Sequence, residues 1–252
     1  MNFYGSEEYN KLIQDLDKKV YSKCDLTKET NKKVLNDNYS IKYYYYDDQD
    51  SGVDGEICRL YKDDNLIYEW KNIYGKSRLA TIINHSDGNK YLVFDEDLYG
   101  YSVLNLKTLE CVHYIPSESH LDNKETFIWC DVNYNINNNL LVVSGCYWAT
   151  PYTLIVVDFT KPMEVVKSSN WLDLPLKYYE LGSDIDFKCF DDDKLVCILD
   201  GNKDSVLMVD INELNSKLDI WKRLYIKFIF WCIIIDERRD KDVFNNKYIL
   251  YR

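Results

Sequence analysis

The densest set of oxygen ligands in this 252-residue chain is the turn Asp47-Asp48-Gln49-Asp50-Ser51-Gly52-Val53-Asp54-Gly55-Glu56. Several carboxylates around one tight turn are what a hard cation such as calcium requires. A calcium loop starting at Asp50 places Asp54 and Gly55 at its fifth and sixth positions. It fails at the third, Gly52, and at the twelfth, Tyr61, where a bidentate Glu is needed. The turn reads as a solvated hairpin loop, and no metal is expected.

Nucleophiles and bases are sparse. The eight cysteines, Cys24, Cys58, Cys111, Cys130, Cys146, Cys189, Cys197 and Cys232, include no C-x-x-C pair, so zinc ligation lacks its usual tight spacing. Several lie in apolar runs, such as Leu195-Val196-Cys197-Ile198-Leu199, and read as buried reduced thiols. Three histidines are present. His85 falls in a turn with Asp87, a turn composition first and a catalytic pair second. His113 falls in a strand and His120 in the polar stretch Ser117 to Asn123. There is no G-x-S-x-G elbow, no glycine-rich phosphate loop and no H-E-x-x-H. A glycosidase carboxylate pair could be drawn from Glu125, Asp131 and many others, so it is unspecific. No catalytic residue and no cofactor is assigned.

Aromatic residues give the more distinctive signal. The segment Gly145-Cys146-Tyr147-Trp148-Ala149-Thr150-Pro151-Tyr152 replaces a short turn with a long aromatic one. Trp129 and Asp131 lie on the preceding strand, and Tyr99-Gly100-Tyr101 occupies the matching place one repeat earlier. Two readings stand. Tyr147 and Trp148 could plug the core, which is the bland and preferred reading. Alternatively Tyr99, Tyr101, Trp129, Asp131, Tyr147 and Trp148 could form one rim that binds protein or carbohydrate. Cys146 has no flanking basic residue to lower its pKa, so it is a poor nucleophile.

These residues need elements to hold them. A hydrophobic share of 46% with 15% aromatics fills a sizeable core and excludes disorder for most of the length. The 23 tyrosines suit strands, where the ring packs on a pleated face and the hydroxyl reaches water. The net charge of −11 argues against nucleic-acid binding by the whole surface. It is uneven: residues 217–252 carry nine Lys/Arg and five Asp/Glu, and the rest carry 22 and 37. That basic C-terminal segment would dock on its own acidic body or on a partner. The start MNFYGSEEYN lacks the features of a secretory signal. The longest apolar run, Leu224 to Ile235, is shorter than the roughly 20 residues that span a bilayer. The expectation is a soluble, cytoplasmic protein with no membrane partner.

Apolar residues at three- and four-residue steps (Tyr9, Leu12, Ile13, Leu16, Val20) predict a helix over 6–23 capped by Ser6. Residues 25–38 are polar and read as a linker. From Tyr39 the period becomes that of strands, and the chain repeats itself. The strand pairs 91–94 and 101–106, 140–143 and 154–159, and 195–199 and 206–211 align, each preceded by another strand. Leu92, Leu141 and Leu195 are 49 and 54 residues apart, and Asn105, Asp158 and Asp210 are 53 and 52 apart. The recurring amide or carboxylate can start the next turn by bonding its own backbone. A less clear fourth copy spans about 40–74, with strands at Ile41–Tyr46, Glu56–Tyr61 and Leu66–Trp70. The segment 225–235 reads as a strand because Ile and aromatic residues dominate it.

A repeat of about 50 residues with three or four strands resembles the β-propeller proteins, in the broad sense of the WD-repeat, kelch and quinoprotein-like groups. The resemblance covers residues 40–215 and is architectural, since the Trp-Asp, Gly-His and double-Gly signatures are absent. It implies an all-β fold, a small or incomplete propeller with a short N-terminal helix. The predicted organisation is helix and linker over 1–38, the repeat domain over 39–217, and a diverged closing segment over 218–252. Three functions are compatible: a non-catalytic interaction module binding a protein or peptide through its loops, a carbohydrate-active hydrolase or lyase, or an acidic immunity protein masking a basic partner.

Overall fold

The computed structural model describes residues 1–36, 38–48, 52–73, 75, 79–174, 184–214 and 217. Within them the chain is mostly β, with one N-terminal helix, α1 (Glu7–Lys19), and a single turn of helix, α2 (Ser117–Leu121). The strands form four antiparallel sheets, each a meander in chain order. The first holds β1 (Asn31–Val34), β2 (Tyr39–Asp48), β3 (Val53–Lys62) and β4 (Asn65–Asn72). The second holds β5 (Ala80–Asn84), β6 (Lys90–Phe94), β7 (Tyr101–Asn105) and β8 (Cys111–Tyr114). The third holds β9 (Ile128–Asn135), β10 (Leu140–Cys146), β11 (Thr153–Asp158) and β12 (Leu172–Asp173). The fourth holds β13 (Ile185–Asp191), β14 (Lys194–Leu199) and β15 (Asn202–Asp210).

The same kind of corner is found at three places. Asn105, Asp158 and Asp210 end the third strand of their sheets and face Tyr91, Leu140 and Lys194 across the hairpin. Each side chain accepts the backbone N–H two residues on: Lys107 at 2.9 Å, Thr160 at 3.0 Å and Asn212 at 2.7 Å. The next residue, Leu106, Phe159 or Ile211, is buried and donates its N–H to the carbonyl of Lys90, Asn139 or Asp193. A short polar side chain thus satisfies the turn while its apolar neighbour plugs the sheet end.

The first sheet shifts the predicted frame by one strand. There Asp63 donates to the Asn38 carbonyl, and Lys62 faces Tyr39, so β2 and β3 occupy the places of β6 and β7. The opening strand of that sheet is therefore β1, in the segment read from sequence as linker. It was illegible because Asn31-Lys32-Lys33-Val34 is polar and mostly exposed, as an edge strand of this kind can be. In the corrected frame Ile41, Val93, Val142 and Val196 are equivalent, at spacings of 52, 49 and 54.

The sheets pack face to face in chain order, because alternate residues of each strand serve opposite neighbours. Tyr39, Ile41 and Leu60 meet Leu92, Phe94 and Leu104 between the first and second sheets. Tyr91, Val93 and Val103 meet Leu141, Val143 and Val157 between the second and third. Leu140, Val142 and Val156 meet Leu195, Cys197 and Val209 between the third and fourth. None of these clusters joins the first sheet to the fourth among the described residues.

The expected helix is present. The Ser6 side chain accepts the Tyr9 N–H, Glu7 and Glu8 occupy the first turn, and Lys18 and Lys19 the last. It ends in a 3-10 turn, Tyr21–Lys23, and buries Leu16, Val20 and Tyr21 against Tyr44, Ile57 and Ile73 of the first sheet's region. Close approach needs a glycine: a Cβ on Gly55 would lie 2.9 Å from Val20 Cγ1. No helix among the described residues is long and apolar enough to cross a membrane. The segment 225–235 and the closing segment from 218 lie outside the described residues.

The turn before β6 ties the second sheet to the third. His85 is buried, and its Nε2 donates to the Phe159 carbonyl at 2.9 Å. A carbonyl only accepts, so that nitrogen carries a proton. Nδ1 lies 3.1 Å from the Asp87 carboxylate and 3.2 Å from the Asp87 backbone nitrogen, within one turn. Burial would raise the Asp87 pKa, but bonds from Asn89, Tyr91 and His85 outweigh it and hold it at about 2, below the usual 3.8. A depressed folded-state pKa stabilises above the unfolded value and is lost as pH falls through the folded one. Melting temperature is therefore expected to drop between about pH 4 and pH 2, and Asp87→Asn to flatten that limb. Parallel acid limbs for the two proteins would refute this.

Candidate functional site

The residues singled out from sequence separate into three environments. Tyr101 and Trp129 are core residues, 4% and 2% exposed, with rings stacked at 4.4 Å between the second and third sheets. The Tyr101 hydroxyl donates to the Val166 carbonyl and accepts the Val166 N–H. Tyr99 is half-buried beside Asp97, whose carboxylate accepts the Tyr99 N–H at 2.9 Å. Asp131 is exposed on β9. Tyr147 is half-buried: it packs edge-on against Phe127, and its hydroxyl donates to Asp173 at 2.9 Å. Trp148 is 59% exposed.

The loop joining β10 to β11 is thus split, one ring in and one ring out. Its backbone is held at several points. The Thr150 N–H bonds the Tyr147 carbonyl, and the Tyr152 N–H bonds the Asp184 carboxylate at 2.7 Å. The Tyr152 carbonyl accepts the Ile185 N–H at 2.8 Å, linking the loop to the fourth sheet. Ala149 turns the chain through positive φ (60°) and throws Trp148 outward. Tyr152, 44% exposed, stands on the same loop; sequence reasoning quoted it within the segment without choosing it.

A second region was invisible in the sequence. After β6 the run Asp95-Glu96-Asp97 is buried, and its carboxylates meet two histidines. His113 Nδ1 lies 3.0 Å from Glu96 Oε2 and 3.1 Å from Ser102 Oγ. His120 Nε2 lies 3.1 Å from Asp97 Oδ2. The N-terminal segment covers both rings: Tyr4 stacks on His113 at 4.0 Å and Phe3 on His120 at 4.2 Å. Asn2 fastens that segment by donating to the His113 carbonyl and accepting the Ile115 N–H. Beside Glu96 and His113 is a cavity of about 200 Å³, also lined by Tyr4, Tyr9, Tyr68 and Trp70.

Ser102, His113 and Glu96 have the composition of a hydrolase triad but not its wiring. A triad sets the acid on one imidazole nitrogen and the nucleophile on the other, so the ring can relay a proton between them. Here Glu96 and Ser102 both address Nδ1. A carboxylate only accepts, so Nδ1 carries the proton and cannot serve as base toward Ser102, which is itself buried.

The other chemical candidates are spent structurally. Asp54 in the acidic turn accepts the Tyr45 hydroxyl at 2.7 Å, and Asp48 pairs with Lys23. Asp50, the start of the calcium register, lies outside the described residues. Among the described residues no group of three or more His, Cys, Asp or Glu is placed to hold a metal. Seven cysteines are among the described residues, none of them in a disulfide. Cys58 and Cys197 are buried, Cys189 is exposed and the other four are intermediate, while Cys232 lies outside the described residues. Burial pushes the Cys111 and Cys197 thiols up to about 12, so neither supplies thiolate at neutral pH.

Compared with known families and with curated proteins, the chain matches no family model and no curated sequence.

Proposed function

We propose that this protein is a small or incomplete β-propeller that acts as a non-catalytic interaction module, binding a protein partner through the β10–β11 loop. The observation that carries this reading is the pinned loop that exposes Trp148 and Tyr152. A large ring held in water by a braced backbone is pre-organised: binding gains its area without first ordering the loop. Tryptophan and tyrosine at the centre of an interface carry most of its energy. The net charge of −11 favours a partner with a basic face. The repeated corner and the face-to-face order of four meander sheets support the propeller part of the reading.

The test places the photocrosslinking residue p-benzoylphenylalanine at Trp148 in cells expressing the chain. A discrete adduct is expected there and not at Val34, an equally exposed position on β1. With the captured partner purified, Trp148→Ala should weaken binding by about 2 kcal/mol, roughly thirtyfold, and leave thermal stability unchanged. The same adducts at both positions, or none at either, would sink the proposal.

A further inference from the structure

We propose that the open cleft between the N-terminal segment, α1 and the first two sheets is a receptor for a small alkylammonium group, with Glu96 as its counter-charge and the rings of Tyr4, Tyr9, Tyr68 and Trp70 as its walls. This is independent of the partner surface on the β10–β11 loop.

Glu96 is 6% exposed, and its carboxylate accepts the Nδ1–H of His113. Burying a carboxylate costs several kcal/mol unless a cation answers it. Of the basic groups in or near the cleft, His113 is bonded to Glu96 itself, and Lys71 and Arg59 are committed elsewhere. Lys71 directs its ammonium to Asp17 and over the Tyr21 ring. Arg59 pairs with Glu69, the other carboxylate of the lining, at 2.6 Å.

The walls suit a cation. Burial first, then the Glu96 charge, raises the pKa of the Tyr4 and Tyr9 hydroxyls. Tyr68 is raised by burial first and by Cys111 and Glu96 after it. All three phenols stay neutral, so the walls bring aromatic rings, which attract ammonium, and no competing charge. An anion would meet Glu96, and a neutral apolar group would gain nothing from that charge. At about 200 Å³ the space is below the roughly 300 Å³ at which drug-sized pockets begin, so it holds one head group.

The experiment titrates the full chain with choline, methylammonium and Nα-acetyl-lysine methylamide at constant ionic strength, reading the fluorescence of Trp70 and its neighbours. The comparison ligands are 3,3-dimethyl-1-butanol, the uncharged isostere of choline, and glucose. Saturable binding of an ammonium ligand is expected, at least about tenfold tighter than the isostere. Glu96→Gln should weaken it by about tenfold, because Gln still accepts the His113 N–H but carries no charge. Glu164→Gln, which removes an exposed carboxylate outside the lining, should leave it nearly unchanged. Tighter binding of the lysine derivative would assign the group to a protein side chain, and tighter binding of choline to a free metabolite; both support the site. Equal affinity for the isostere, preference for glucose, or no saturation would overturn it.

Discussion

Gly145→Ala is expected to lower stability by about 3 kcal/mol or more, a fall in Tm of roughly 6–12 °C. The reason is a close approach of backbone to backbone. A Cβ at Gly145 would stand 1.9 Å from the Ile128 carbonyl oxygen and 2.7 Å from the Phe127 ring. Neither can yield cheaply. Ile128 belongs to β9, which pairs with β10 through a register shift between Ser144 and Gly145, and Phe127 is fully buried. The substitution must part the two strands just where the β10–β11 loop begins. Gly88→Ala is the control. It alters a glycine at positive φ (84°) but meets no atom within 4 Å, so it should cost only the backbone strain of about 1–2 kcal/mol. Equal melting of the two variants would remove the steric argument.

Trp129→Ala should cost about 3–5 kcal/mol, read as a lower urea midpoint with the slope unchanged. Trp129 stacks on Tyr101 and meets Trp171 edge-on at 5.4 Å, so it bridges the second and third sheets. Its indole N–H has no hydrogen-bond partner among the described residues. A buried donor left unpaired carries a desolvation cost of about 1–3 kcal/mol. Trp129→Phe sheds that cost along with part of the ring, so it should lose less than about half as much as alanine. Should phenylalanine prove as damaging as alanine, the N–H has a partner after all, such as a buried water. An unaffected Trp129→Ala midpoint would mean that this interface contributes little.

These two positions show how residue type and residue role diverge. Trp129 and Trp148 are both tryptophans in one hairpin unit, and the sequence offered both as rim candidates. Strand β9 carries Trp129 into the face that meets the second sheet, whereas the positive-φ turn at Ala149 carries Trp148 to solvent. Alternation along a strand identifies two faces but does not say which neighbour covers each.

What the residues determined alone is what depends on near neighbours. The helix over Glu7–Lys19 follows from apolar spacing and from a serine that bonds three residues ahead. The corners at Asn105, Asp158 and Asp210 follow from side chains bonding their own next turn. Strands β1 and β12 escaped because each is a short sheet-edge strand, of four and two residues, with too little alternation to register. The frame of the first sheet was misread as a consequence. The Glu96 pocket was decided by tertiary structure throughout. Tyr4, Tyr68, Glu96 and His113 come from the N-terminal segment, β4, the loop after β6, and β8, and they meet only once two sheets have stacked and the N-terminal segment has closed over them. Local bonds form from adjacent residues and leave a mark in the sequence. A pocket between layers depends on which faces the whole chain buries, and no short stretch of residues specifies that.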